Sequence, residues 1–147
     1  MYDLLLSIHN LLRWAFLAAA LYAIFKAARG LSGGTPFAKP DNLAGTLLLS
    51  AAHSQLLIGL ILLFVSPNIQ HAMANMAVAM KDSAIRAMLI EHPLMMIISV
   101  ALIQIGRIRV KKAYSDADKH KRSLIFFGIA LVLVLSRIPW GAPMFRF

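Results

Sequence analysis

The sequence predicts an all-α integral membrane protein, a four-helix up-down bundle with a short interfacial helix between spans 2 and 3. Three observations predict it. Of 147 residues, 60% are hydrophobic and only 14% charged, against roughly 45–50% and about 25% in soluble domains. Mean hydropathy is +0.74. The apolar excess falls into four blocks separated by Gly/Pro-containing or charged sequence, and a helix needs about 20 apolar residues to cross roughly 30 Å of hydrocarbon. The whole chain, 1–147, is then one transmembrane domain.

Span 1 is expected at about 4–25, ended by Lys26, Arg29 and the loop from Gly30 to Pro40. It starts without a basic n-region and has no small-residue cleavage pattern behind it, so it is read as a retained span. Span 2 is expected at about 43–65, with Asn42 as N-cap and Ser66-Pro67 as its end. Residues 68–80 are too polar to cross, but Met73, Met76 and Met80 keep helical spacing, which predicts a helix lying on the membrane surface. Asp82 or Ser83 should cap span 3 at about 85–105, and span 4 follows at about 124–138.

A net charge of +9 in a soluble protein would suggest nucleic acid. Here seven of the fifteen cations fall between Arg107 and Arg122, in one inter-span segment, so the expected partner is anionic membrane lipid and no nucleic acid. Loops 1–2 and 3–4 are the basic ones. Positive loops stay inside. This places both termini and loop 2–3 outside, in the periplasm if the membrane is a bacterial inner membrane. The absence of cysteine excludes disulfides, thiolate metal sites and covalent haem attachment. Nothing in the composition demands or forbids an oligomer.

Ionisable residues inside spans are costly and mark function by default. Span 1 carries His9, Asn10 and Arg13; span 2 Ser50, His53 and Gln55; span 3 Glu91, His92 and Gln104; span 4 ends on Arg137. From a helical rise of about 1.5 Å per residue, His9 and His92 lie about 9 and 10 Å from the outer boundary, Arg13 about 15 Å and His53 about 18 Å. In an up-down bundle spans 1 and 3 are diagonal, so His9 and His92 can face each other across the core, as axial ligation of a haem iron requires. Arg13, Arg86 and Arg137 are candidates to pair with haem propionates or with Glu91, and Glu91 is a candidate to orient the imidazole beside it. Pro93 removes a backbone donor and should kink span 3. His71 is expected on the surface, and His120, within Lys119-His120-Lys121-Arg122, in a loop facing lipid headgroups. Methionines are more often packing than ligands, though Met95-Met96 beside His92 leaves Met/His ligation open.

These residues also carry a family resemblance. His9-Asn10-Leu11-Leu12-Arg13-Trp14, Ala52-His53-Ser54-Gln55-Leu56-Leu57-Ile58-Gly59-Leu60, Glu91-His92-Pro93-Leu94-Met95-Met96 and Ser136-Arg137-Ile138-Pro139-Trp140 resemble segments of small bacterial four-helix membrane proteins labelled cytochrome b or cytochrome b-like. The resemblance covers nearly the whole chain. It implies haem b and electron transfer without naming a partner, and His9, His53 and His92 stand in its motifs as candidate iron ligands. With His9 and His92 at one outer level, the leading expectation is a membrane cytochrome moving electrons near the periplasmic face, with quinone or a redox protein as partner. Two other readings stay open. The polar cluster could serve a haem-free protein that binds or transports protons, metal or a small ligand. It could also hold together an accessory subunit of a larger complex.

Overall fold

The computed structural model describes residues 1–141, and every regular element among them is helical. The elements are α1 (Tyr2–Gly33), α2 (Lys39–Val65), α3 (Pro67–Ala74), α4 (Met76–Ala79), α5 (Ser83–Arg86), a π-helical turn (Ala87–Glu91), α6 (His92–Lys111) and α7 (Asp116–Arg137). Three stretches are long and apolar enough to cross a membrane: Tyr2–Gly33, Lys39–Val65 and Ser83–Lys111. α7 is shorter, and Lys119, Lys121 and Arg122 occupy its first turns.

Local chemistry sets the ends. Gly34 adopts the left-handed conformation (φ 60°, ψ 31°) and donates its N–H to the Gly30 carbonyl, closing α1. α1 is therefore longer than the apolar block alone indicated. α2 starts before Asn42. Asp41 Oδ2 accepts the Ala38 N–H at 2.9 Å, and Pro40 sits in the first turn, where its missing donor costs nothing. Asn42, expected as the cap, lies inside the helix and accepts from Arg107 instead. The surface helix is broken in two by Asn75, whose side chain receives the Val78 N–H at 3.4 Å. Asp82 caps α5 as expected, accepting from Ala84 and Ile85 at 2.9 and 3.1 Å. Ser115 caps α7, and Asp116 and Asp118 complement its positive end. The helix thus begins eight residues earlier than the apolar block at Leu124.

The break expected at Pro93 takes the form of the π turn. Pro93 cannot donate, and the chain accommodates this just upstream, with the His92 N–H reaching the Ala87 carbonyl. The turn leads directly into His92, the first residue of α6.

α1 packs against α2 and α7, and α6 packs against the same two, so α1 and α6 face each other across the assembly. The shared core holds Phe16, Leu48, Ile103 and Phe127. Ala20, Ala44, Ala52 and Ala130 are nearly sealed among them, and such small residues let helix backbones approach closely in lipid. The outward faces carry exposed Leu21, Phe25, Leu57, Phe64, Ile129 and Val132. An exterior this apolar suits hydrocarbon and not water. A second small cluster, Ala72, Ala79 and Leu89, seats α3 and α4 against the π turn.

Candidate functional site: two histidines across an apolar cavity

His9 from α1 and His92 from α6 meet between the facing helices. Their ring centroids lie 6.5 Å apart, and the planes are near perpendicular at 80°. Both line a cavity of about 420 Å³ whose walls are mostly apolar, with Arg13, Gln55 and Met96 also reaching it.

Each ring is held by its neighbours. His92 Nδ1 is 2.8 Å from the Arg137 carbonyl at the end of α7, an acceptor only, so Nδ1 carries the proton. Nε2 of the neutral ring then keeps its lone pair, the arrangement common to metal-binding imidazoles. His9 lies against Gly59 of α2. A Cβ at that glycine would stand 3.1 Å from His9 Cε1, so the bare backbone makes room for the ring. Gln55, one helical turn before Gly59, donates to the His9 carbonyl at 2.9 Å and lies 3.4 Å from His9 Nε2. His9 Nδ1 and Gln55 Oε1 are buried without a hydrogen-bond partner among the described residues.

Arg13 is one turn further along α1 and buried at 7% exposure. Its Nη1 donates to the Pro139 carbonyl at 3.4 Å, its guanidinium sits 5.4 Å from the Trp14 ring centroid, and its Nε is unmet among the described residues. A buried cation with an unmet donor, facing a cavity, is suited to an anionic group of a ligand.

The other expected anion binders are already engaged. Glu91 bridges Arg86, at 3.2 Å, and Arg137, at 3.6 Å. Arg86 also donates to the Met80 carbonyl at 3.0 Å. None of the three lines the cavity. They form a half-exposed network beside it that ties the π turn to the end of α7.

His53 stands apart from the pair. It is exposed on the outer side of α2 and shares a 3.1 Å hydrogen bond with Gln104 of α6. His71 is exposed on α3, as expected. His120 is a correction to the sequence reading: it lies within α7, not in a loop, and is among the most deeply buried side chains at 1% exposure. Its Nε2 donates to the Thr35 carbonyl at 3.1 Å, Phe37 lies 5.2 Å away, and Gly30 leaves the space its ring fills. The charged residues on either side of it masked this inward position. Gln55 was visible as a polar residue in a span, but Gly59 gave no sign of its place behind His9.

Among the described residues, no three His, Asp or Glu side chains gather as a metal site. A macrocycle that supplies four donors of its own needs only the two axial positions. No protein-family model matches the chain, and no curated protein or solved structure matches it either.

Proposed function

We propose that this chain is a membrane cytochrome that binds haem b between α1 and α6, where His9 and His92 would hold its iron. The observation that carries this reading is the pairing of the two rings. An imidazole nitrogen binds a metal ion at about 2 Å, so two imidazoles holding one iron between them would have centroids a little over 6 Å apart, and those of His9 and His92 lie 6.5 Å apart. The apolar cavity around them and the proton fixed on His92 Nδ1 support it.

When bound, haem b supplies a reversible one-electron couple. The chain's own residues do the rest. The Arg137 carbonyl orients His92 and raises the basicity of its Nε2. Gly59 and Gln55 fix the place of His9. Arg13 offers its unmet Nε to a propionate. Arg86 and Arg137, committed to Glu91, serve the framework and not the propionates. The apolar walls keep water away, which governs the potential of a buried redox centre.

In the same reading α7 is a fourth span, its apolar residues from Leu124 to Leu135 completing an up-down bundle between α1 and α6. Loop charge then places both termini in the periplasm of a bacterial cell and the histidine pair near the outer face, where quinone or a redox protein would exchange electrons. Haem quantification tests the reading. Protein expressed with ample haem should purify with non-covalent haem b in stoichiometric amount, and a colourless preparation would contradict it.

A second reading rests on three polar atoms of cavity-lining residues that find no partner among the described residues, His9 Nδ1, Arg13 Nε and Gln55 Oε1. They would suit the polar head of a small amphipathic ligand in a haem-free pocket. Stoichiometric binding of such a ligand to haem-free protein would favour it.

A further inference from the structure

At the opposite end of the molecule from the histidine pair, the start of α2, the end of α6 and the start of α7 enclose a second concavity. Lys39, Lys111 and Lys119 line it, together with Phe37, Asn42 and Thr46. None of the three lysines has a carboxylate partner among the described residues. Of the nearby acidic groups, Asp41 pairs with Lys26 at 3.5 Å and Asp118 with Arg122 at 2.8 Å, while Asp116, at the start of α7, forms no ion pair with the three lysines among the described residues.

A second observation lies beneath this pocket. Arg107 is buried at 4% exposure. Its Nη2 donates to Asn42 Oδ1 at 3.0 Å and to Thr46 Oγ1 at 2.9 Å, and it lies directly against Gly45. Both acceptors are neutral. Buried charges are ordinarily paired with an opposite charge, yet no carboxylate among the described residues reaches this guanidinium. Three lysines thus line the concavity and Arg107 bonds two of its lining residues, Asn42 and Thr46, and none of the four cations has a carboxylate partner among the described residues.

We propose that this pocket binds the phosphate headgroup of an anionic membrane lipid. The lysines would contact the phosphate, and Arg107 would act through Asn42 and Thr46 as a positioning residue. Phe37 lies 5.7 Å from Lys119 Nζ and gives the glycerol region an apolar wall. The location favours lipid over a soluble anion, because these helix ends adjoin the apolar faces that meet hydrocarbon, and basic pockets between membrane helices take such headgroups. The inference is independent of the haem reading.

The test is lipid binding to purified, delipidated, full-length protein in detergent, followed by native mass spectrometry. Phosphatidylglycerol should bind in preference to phosphatidylcholine. The triple variant Lys39→Ala, Lys111→Ala, Lys119→Ala should weaken phosphatidylglycerol binding about a hundredfold. The triple lysine-to-arginine variant should retain it, which separates loss of charge from loss of fold. Equal binding of the two lipids, unchanged binding by the triple alanine variant, or full competition by millimolar inorganic phosphate would overturn the assignment.

Discussion

The His9 and His92 rings face each other at 6.5 Å and 80°, brought together from helices α1 and α6, which do not adjoin in sequence. Two features create that relationship. The bond from His92 Nδ1 to the Arg137 carbonyl holds one ring, and the absence of a side chain at Gly59 admits the other.

Gly59 therefore offers a graded test. A Cβ there would meet His9 at 3.1 Å, a contact that a small shift of the ring can relieve. Gly59→Ala should retain cofactor. Gly59→Val adds bulk that the ring cannot evade, and haem affinity should fall about tenfold or more. Haem titration into the apoprotein measures both, and equal affinity in the two variants would dissociate Gly59 from the site.

Gly30 and His120 form a second fitted pair, because a Cβ at residue 30 would land on the His120 ring. Gly30→Ala should destabilise the fold by about 1–3 kcal/mol through overpacking. His120→Ala removes the ring and leaves the Thr35 carbonyl without its donor. The double variant should be more stable than the sum of the single effects predicts, by about 1 kcal/mol or more. Unfolding in detergent supplies the four stabilities, and strict additivity would mean that the two residues do not share this space.

The Arg86–Glu91–Arg137 network is half-exposed, and ion pairs of that kind contribute about 0–1 kcal/mol. Glu91→Gln should accordingly change stability by less than about 1 kcal/mol, and the His92 bond to the Arg137 carbonyl should survive because it uses backbone. Haem content should stay near that of the parent protein. A loss of haem matching that of a ligand variant would place Glu91 in the site itself.

Much of this architecture was legible in sequence, and the failures have physical causes. The apolar blocks located the three long helices, since little else can satisfy backbone groups in lipid. Asp82 announced its cap, and Pro93 announced a break. The depth estimate paired His9 with His92, because equal helical rise from one boundary puts them at one level. It also separated His53 from them. What stayed hidden depended on tertiary fit. His120 read as a headgroup-facing residue because its neighbours are charged, yet one face of a helix can be sealed while the next residues face water. Arg107 read as one loop cation among seven, although Asn42 and Thr46 draw it into the protein. For Arg86 and Arg137 the sequence left two partners open, haem propionates or Glu91, and both arginines pair with Glu91 in the fold.

The central claim is that His9 and His92 together hold haem b, and the reduced-minus-oxidised absorption spectrum tests it most directly. The parent protein should show the Soret and alpha bands of a six-coordinate b haem. His9→Ala and His92→Ala should each abolish that spectrum, while His53→Ala, which removes a histidine outside the cavity, should leave it unchanged. A spectrum that survives both single substitutions, or one that depends on His53 instead, would contradict the account.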